Sequence, residues 1–224
     1  RVCMATVLVI GASRGIGRGL VQACIARGDR VIATVRQRAD VDALRAEGAQ
    51  VLVVDVANPA SVSGLAWQLD GVELQQAWYV AGVWDGSSAA TPPTQTDFDR
   101  VMHTNVLGAM QVLPQVMPCV EAVGGTMVCI SSQMARLSQA DSDAWLYRSS
   151  KAALNMAVAS AQPQWPQAKL IAMDPGWVQT EMGGAGAAIT VATCVQGMLQ
   201  TVATLTPQDK GRLLRYDGTR LENW

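Results

Sequence analysis

Tyr147 and Lys151 lie four residues apart, a spacing that puts both side chains on one face of a helix. The ammonium of Lys151 is expected to lower the pKa of the phenol from its reference value of ~10 toward neutral pH. A phenol whose pKa is lowered in this way exchanges a proton with an oxygen atom of a substrate. The same spacing is common on helices that do no chemistry, so the pair needs support from other motifs.

Three glycines, Gly11, Gly15 and Gly17, lie between an apolar segment and a stretch with helical spacing. In a turn from a strand into a helix, Gly11 takes backbone angles closed to other residues, Gly15 lets the chain approach phosphates, and Gly17 allows close packing. An ordinary tight turn is the alternative interpretation. The strand before and the helix after favour a site for the pyrophosphate of a dinucleotide.

Other catalytic arrangements find little support in the sequence. His103 is the only histidine, and its apolar neighbours predict a packed or partly exposed structural role. Hydrolysis by a serine and histidine pair would depend on this one ring. The chain has no HExxH motif, no cluster of cysteine and histidine, and no closely spaced set of carboxylates. We therefore expect no catalytic metal.

Short segments rich in β-branched residues alternate with longer segments of helical spacing, which indicates repeated strand–helix units. The predicted fold class is α/β, a Rossmann-like doubly wound sheet of seven mostly parallel strands with helices on both faces. Residues 1–224 are expected to form a single dinucleotide-binding domain. The predicted strands are Thr6–Ile10, Arg30–Val35, Gln50–Val54, Ala77–Val80, Thr126–Ile130, Lys169–Met173 and, at the sheet edge, Leu213–Tyr216.

A helix that begins near Asp97 is predicted to pack in the core. Pro114 and Pro118 are expected to kink or end it, because proline lacks the N–H group that a helix needs. The positions with core spacing are Phe98, Val101, Met102, Val106 and Met110.

The first predicted helix, Gly17–Arg27, has apolar residues on one face and is expected to end at Gly28. Two segments, 85–95 and 183–188, are rich in small residues and in proline or glycine. Such compositions are typical of loops, and we expect both segments to lie over the ligand-binding edge of the sheet.

The composition limits the partners and the compartment. Half of the 224 residues are hydrophobic, 16% are charged, and the net charge is −1. A nucleic-acid-binding protein would be more basic, and no apolar segment approaches the ~20 residues that span a bilayer. We therefore expect neither nucleic acid nor membrane as a partner. The five cysteines are widely spaced and are expected to be free thiols of a cytoplasmic protein; residues before Met4 carry no functional prediction.

The motifs follow one another in an order that resembles the short-chain dehydrogenase/reductase family. The glycine spacing is G-x-x-x-G-x-G, and the Tyr147-x-x-x-Lys151 pair follows later. Ile10 stands where the family has threonine, and Val80 where its N-A-G motif has asparagine. The 15 positions from Ser132 to Tyr147 are similar to the small carbonyl-reductase and C-factor-like branch. The other matching motifs are Asp55-Val56, Ala81-Gly82, Asn105 in Asn-Val-Leu-Gly, Ser131-Ser132, and Pro175-Gly176 with Val178 and Thr180 after it.

This resemblance implies a catalytic set and a cofactor site. Ser132 would donate a hydrogen bond to the substrate carbonyl oxygen, Asn105 would steady a water-linked proton path, and Lys151 would also hold the nicotinamide ribose. The implied catalytic residues are Asn105, Ser132, Tyr147 and Lys151. The implied cofactor contacts are Gly11, Ser13, Arg14, Gly15, Ile16, Gly17, Arg36, Asp55, Val56, Ala81, Gly82, Asn105, Tyr147, Lys151, Pro175, Gly176, Val178 and Thr180.

Members of the family that prefer NAD(H) place an acidic residue at the end of the second strand, a position that falls near Val35. No carboxylate is present there, whereas Arg36 is the residue directly after Val35, and Arg14 lies in the glycine loop. Two guanidinium groups suit a 2′-phosphate through forked, charge-assisted hydrogen bonds. NADP(H) is therefore the expected cofactor, and NAD(H) the less favoured one. The other interpretation is that Arg36 and Arg38 are solvated loop charges.

The resemblance implies an enzyme that moves hydride between NADP(H) and the carbonyl or alcohol group of a small molecule. The alternative is a dinucleotide-binding sensor or signalling protein of the same fold, which the presence of every implied catalytic residue disfavours. Trp84, Trp145 and Trp177 are either aromatic walls for an apolar ligand or core residues. Homodimers or homotetramers are the assemblies that the family implies.

Overall fold

In a computed structural model of the chain, which describes residues 4–222 and 224, seven strands form one sheet. Their order is β3-β2-β1-β4-β5-β6-β7, and every strand pair is parallel. The strands are β1 (Thr6–Ile10), β2 (Arg30–Val35), β3 (Gln50–Val53), β4 (Gln76–Tyr79), β5 (Thr126–Ile130), β6 (Lys169–Asp174) and β7 (Leu213–Arg215). The predicted doubly wound α/β fold is confirmed, and each strand ends within one residue of its predicted bounds.

Helices cover both faces of the sheet, because the side chains of each strand alternate between two hydrophobic cores. Leu8 and Ile10 of β1 point into one core, and Val7 and Val9 point into the other. A strand buried on both sides must be apolar throughout, which is why the strands read as continuous hydrophobic runs. The helices are α1 (Gly15–Ala26), α2 (Val41–Ala46), α3 (Pro59–Val62), α4 (Leu65–Gln68), α5 (Gln95–Met102), α6 (Gly108–Glu121), α7 (Trp145–Ala161) and α8 (Val191–Ala203).

Helix α1 ends where the sequence predicts. Gly28 has a φ of +88°, and its N–H donates to the carbonyl of Ile25, which closes the last turn. The helix begins at Gly15, two residues before the predicted start at Gly17. It packs beside α8 on the second core, so the turn before α1 is held rigidly at the end of β1.

Pro114 and Pro118 do not end the central helix, so that part of the prediction is wrong, and a kink at these residues stays a prediction. Both prolines lie inside α6, which runs on to Glu121. A proline inside a helix costs roughly 3 kcal/mol, whereas each fully buried aliphatic side chain stabilises by about 1.5–3 kcal/mol. The burial of one helix face outweighs the lost hydrogen bonds. The buried aliphatic and methionine residues of that face are Val112, Leu113, Val116, Met117 and Val120.

The core positions predicted along this helix are only partly correct. Val101 is fully buried, but Phe98 is 43% exposed and Met110 is 53% exposed. A π-helical segment, His103–Leu107, separates α5 from α6 and adds one residue to the turn, so the regular spacing does not carry over to Met110. Phe98 lies near the start of α5, which packs mainly against α7 and not on the sheet. No helix in the described part of the chain is long and apolar enough to cross a membrane.

Candidate active site

A cleft of about 870 Å³ opens at the carboxyl ends of the parallel strands. It lies where β1 has β2 on one side and β4 on the other, the point at which doubly wound sheets bind ligands. Most of the predicted site residues line it, so the fold brings together motifs that are far apart in the sequence. The predicted residues on the cleft wall are Gly11, Ser13, Arg14, Gly15, Ile16, Arg36, Asp55, Val56, Ala81, Gly82, Tyr147, Lys151, Pro175 and Thr180.

The other predicted residues lie behind the wall of the cleft, and each is buried or half-buried. Val178, for example, forms a parallel β-bridge with Ile189, which fixes the segment after β6. These residues lie directly behind the residues that line the cleft. They are Gly17, Asn105, Ser132, Gly176 and Val178.

The glycine turn is built so that no side chain fits at two of its positions. Gly11 has a φ of +89°, and a Cβ atom there would lie 2.7 Å from the backbone nitrogen of Ala81. A Cβ atom on Gly17 would lie 2.1 Å from the carbonyl oxygen of Gly11. Both positions therefore need glycine, and the turn holds the N-terminus of α1 close to the ends of β1 and β4. Such an N-terminus favours a bound anion.

Tyr147, Ser132 and Lys151 form one buried cluster. Helix α7 begins after Ala144 and carries Tyr147 and Lys151 one turn apart. Tyr147 is 7% exposed, and Ser132, which follows β5, acts on its phenol and accepts the N–H of Met134 at 3.1 Å through its Oγ. The ammonium nitrogen of Lys151 lies 5.7 Å from the centre of the Tyr147 ring and donates to the carbonyl of Ile130 at 2.8 Å.

Burial controls the ionisation of this cluster. It raises the pKa of Tyr147 to about 12, although the hydrogen bond to Ser132 acts in the opposite direction. It lowers the pKa of Lys151 to about 8. The prediction that Lys151 brings the pKa of Tyr147 toward neutrality is therefore wrong, because the loss of water around the phenolate raises this pKa. Tyr147 keeps its proton at neutral pH and is suited to act as an acid.

Asn105 lies in the π-helical segment between α5 and α6. Its Oδ1 accepts the N–H of Val83 at 2.8 Å, and its Nδ2 donates to the carbonyl of Val83 at 3.0 Å. Nδ2 also donates to Oγ of Ser150 on α7 at 2.9 Å. Asn105 thus joins the loop after β4 to α7. That Asn105 also steadies a water-linked proton path stays a prediction.

Arg14 and Arg36 both line the cleft, one at the glycine turn and the other just after β2. Arg14 forms an ion pair with Glu181, and both of these side chains are 73% exposed. An exposed pair of this kind contributes only about 0–1 kcal/mol, so a phosphate is able to replace the carboxylate. Arg36 is exposed and has no ion-pair partner within residues 4–222 and 224. Both guanidinium groups are therefore available to an anionic ligand.

Of Trp84, Trp145 and Trp177, Trp84 lies on the wall of the cleft. Its ring contacts that of Tyr147, with centroids 4.7 Å apart and planes inclined by 54°. Trp177 is 57% exposed, and its indole N–H donates to the carbonyl of Gly183. Trp145 is half-buried at the start of α7. The structure therefore favours the aromatic-wall interpretation for Trp84.

Several residues of the cleft were not predicted. Two of them, Glu181 and Met182, directly follow the predicted Thr180 and could have been found by extending that motif. The others lie on loops or helix faces whose composition does not distinguish them. The additional polar and charged residues on the wall are Gln37, Asp40, Arg100, Thr104, Gln179 and Glu181.

The remaining candidate residues lie away from the cleft wall. His103 is exposed in the π-helical segment. Four cysteines are free thiols, three of them buried, and Cys3 lies outside the described residues. Among the residues that the structure describes, no group of three or more histidine, cysteine or acidic side chains could hold a metal ion. The four thiols are Cys24, Cys119, Cys129 and Cys194.

The buried ammonium of Lys151 predicts a pH-dependent stability. Its pKa of about 8 lies below the reference value of ~10.4, so the unfolded chain holds more protons between these two values and stability rises with pH there. Lys151→Met is expected to be more stable than the wild type at pH 7 by roughly 1–3 kcal/mol, and this difference should shrink above pH 8. Urea unfolding at several pH values measures it, with Lys169→Met as the control. If the stability difference between Lys151→Met and the wild type did not change with pH, the ammonium of Lys151 would not be the cause.

Comparisons with known proteins agree with this geometry. The chain matches the family model described as short chain dehydrogenase over residues 5–206. It is 35% identical to C-signal of Myxococcus xanthus over 146 residues. The matched residues cover 63% of this chain and 86% of that protein. It is 31% identical over 234 residues to 1-hydroxy-2-glutathionyl-2-methyl-3-butene dehydrogenase of Rhodococcus sp. (strain AD45), covering 98% and 100%.

Two solved structures show the same fold over nearly the whole chain. The carbonyl reductase Sniffer of D. melanogaster has a TM-score of 0.90 at 25% identity, covering 99% of this chain and 100% of that one. A short-chain dehydrogenase/reductase from Burkholderia multivorans with bound NADP has a TM-score of 0.86 at 27% identity, with the same coverage. The protein therefore belongs to the short-chain dehydrogenase family and has the fold of its oxidoreductases.

Proposed function

We propose that the protein is an NADP(H)-dependent reductase that converts the carbonyl group of a small molecule into an alcohol. The observation that carries this proposal is that Tyr147 and Lys151 line the same cleft as the glycine turn, with Ser132 directly behind the cleft wall. A proton donor and an anion-binding helix terminus meet there, as hydride transfer to a carbonyl requires.

The cleft fits a phosphorylated dinucleotide. A Cβ atom at Gly11 would meet backbone, and one at Gly15 would lie 3.3 Å from Thr180, so the glycines keep a cradle open at the start of α1. The pyrophosphate binds there, with Ser13 and Ile16 nearby. The solved relative with bound NADP and the NADPH-dependent pterin aldehyde reductase of Arabidopsis thaliana, 30% identical, support this cofactor.

The other proposed cofactor contacts follow the order of the strands. Asp55 and Val56 after β3 contact the adenine, and Ala81 and Gly82 after β4 lie below the adenine ribose. Lys151 holds the nicotinamide ribose. The segment after β6 contacts the nicotinamide carboxamide or the pyrophosphate through Pro175, Gly176, Val178 and Thr180.

NADP(H), when bound, supplies or accepts the hydride. The side chains of the cluster donate or accept the proton. Ser132 donates a hydrogen bond to the substrate oxygen and stabilises the charge that develops on it. Tyr147, which keeps its proton at neutral pH, gives that proton to the same oxygen. Lys151 supplies positive charge beside the ring, and Asn105 holds the loop after β4 in place. Trp84 forms one wall of the substrate side, which favours flat or apolar carbonyl compounds.

Arg36 is proposed to select NADP(H) over NAD(H). Arg36→Ala is expected to weaken NADPH binding about 10- to 100-fold, the cost of a lost charge-assisted hydrogen bond, and to leave NADH binding nearly unchanged. Fluorescence titration of both cofactors measures this. Arg38→Ala is the matched control, because Arg38 is exposed on the same loop but does not line the cleft. Equal loss of NADPH and NADH affinity, or no loss, would rule out this role.

The alternative function is a dinucleotide-binding signalling or sensor protein with little turnover, and the likeness to C-signal favours it. The assembled cluster of Ser132, Tyr147 and Lys151 favours the enzyme. Oxidation of NADPH by the purified protein across aldehydes, ketones and quinones separates the two. Turnover supports the reductase, whereas tight NADPH binding without turnover supports the signalling protein. A single domain and a homo-oligomeric state stay predictions.

A further inference from the structure

Residues 137–143, which lie between Ser132 and Tyr147, form a segment without an apolar anchor. Every one of them is exposed, and Leu137, the only large apolar residue among them, is 80% exposed. Such a segment gains little from the hydrophobic effect, so polar contacts must hold it in one conformation. Because it joins the turn that carries Ser132 to the helix that carries Tyr147, its conformation bears on how the two hydroxyl groups are placed.

The side chain of Arg148, the residue after Tyr147 on α7, makes several such contacts and is only 15% exposed. Its Nε donates to the carbonyl of Asp143 at 2.9 Å. One terminal nitrogen donates to the carbonyl of Gln139 at 3.0 Å and to that of Met134 at 3.4 Å. The other terminal nitrogen donates to the carboxylate of Asp143 at 2.6 Å. One guanidinium thus joins α7 to three points of the chain that precedes it.

At one end, these contacts reach the hydroxyl of Ser132. Its Oγ accepts the N–H of Met134 at 3.1 Å, and the carbonyl of Met134 accepts the hydrogen bond from Arg148. Two hydrogen bonds therefore connect the hydroxyl of Ser132 with the residue next to Tyr147. A displacement of Arg148 is passed in this way to the turn that presents Ser132.

At the other end, the contacts hold a strained residue at the start of α7. Ala144 has a φ of +47° and is fully buried, and it is the only non-glycine residue with a positive φ in the described part of the chain. This left-handed conformation is unfavourable for alanine and persists only where neighbours impose it. The side chain of Arg148 binds the carbonyl of Asp143, and its backbone N–H donates to the carbonyl of Ala144 at 2.8 Å. Arg148 therefore fixes both peptide groups that flank Ala144.

We propose that Arg148 is a positioning residue whose guanidinium holds residues 133–144 against α7 and thereby places Ser132 and Tyr147 to act on one carbonyl oxygen. A planar guanidinium presents its donors in fixed directions and binds several carbonyls at once, which an ammonium on a flexible stem does not. Arg148 does not line the cleft, so it acts through other residues. The effect on catalysis rests on the proposed function. The hold on the segment does not.

Arg148→Met tests the proposal through hydrogen exchange and steady-state kinetics on the same preparation. The amides of Gln139 and Ala140 donate within the segment, at 3.0 and 3.2 Å. They are expected to exchange about 10-fold faster, because the hydrogen bonds that hold the segment are lost. The kcat for carbonyl reduction should fall about 10- to 100-fold, the effect of a small displacement of a catalytic group. The affinity for NADPH should stay unchanged, which separates this loss from damage to the cleft.

Arg148→Lys separates the shape of the guanidinium from its charge. Lysine keeps the ion pair with Asp143 but does not bind three carbonyls, so the faster exchange and the lower kcat should both persist. Arg212→Met is the control for the removal of an arginine. Arg212 is exposed, and its side chain forms no hydrogen bond or ion pair within residues 4–222 and 224. This variant should match the wild type in both measurements.

Unchanged exchange in Arg148→Met, or full recovery in Arg148→Lys, would overturn the proposal. Faster exchange with an unchanged kcat would overturn it too, because the segment would then not position the hydroxyl groups. If Arg148→Met does not fold, Arg148→Lys decides alone by the same two measurements. If the segment exchanges faster as expected but the wild type reduces no carbonyl, the proposed function fails and the hold of Arg148 on the segment stands.

Discussion

Tyr147→Phe is expected to lower kcat for carbonyl reduction by about 10²- to 10⁴-fold, the usual contribution of a general acid. The hydroxyl is the group that donates the proton, and its removal leaves the ring in contact with Trp84. The affinity for NADPH should change little, because the ring and Lys151 remain. Steady-state rates and a fluorescence titration of NADPH on the same preparation measure both effects.

Tyr216→Phe is the matched control for this experiment. Tyr216 is half-buried near Gly176 but does not line the cleft, so it should keep full activity. If Tyr147→Phe turned over substrate as fast as the wild type, Tyr147 would have no part in the reaction. Equal losses in both variants would indicate a general effect of removing a tyrosine hydroxyl.

Gly17→Ala is expected to weaken NADPH binding at least 10-fold and to lower the free energy of unfolding by about 1–3 kcal/mol. The added Cβ atom would lie 2.1 Å from the carbonyl oxygen of Gly11, so α1 must move away from the turn. The N–H groups at the start of α1 then no longer meet the pyrophosphate correctly. Cofactor titration and chemical unfolding measure the two losses.

Gly64→Ala is the control for an added methyl group. Gly64 precedes α4, its φ is −93°, and the nearest atom to its Cβ would be the flexible end of Gln68 at 3.7 Å. This variant should bind NADPH like the wild type. If Gly17→Ala also bound NADPH normally, the close contact at the glycine turn would not be needed for cofactor binding.

The sheet and the glycine turn could be predicted because their signals are local. A strand buried on both faces must be a continuous apolar run, and Gly11 and Gly17 occupy positions that no other residue fits. The pairing of Tyr147 with Lys151 follows from helical spacing alone. Their approach to Ser132 was predicted from the order of motifs, and the structure brings the three together.

The errors arise where tertiary packing overrides local patterns. Pro118 does not end α6, because the face of that helix is buried deeply enough to offset the lost hydrogen bonds. Met110 is exposed, because a π-helical turn shifts the spacing before it. The pKa of Tyr147 rises to about 12 through burial, and burial depends on residues such as Trp84 that no motif connects to Tyr147.

The most direct test of the proposed reductase uses NADPH that carries deuterium at the transferring position of the nicotinamide. The purified protein is expected to place this deuterium on the former carbonyl carbon of an alcohol product, detected by mass spectrometry, and Tyr147→Phe is expected to do so at least 100-fold more slowly. Tight binding of NADPH with no deuterium transferred to any aldehyde, ketone or quinone would contradict it.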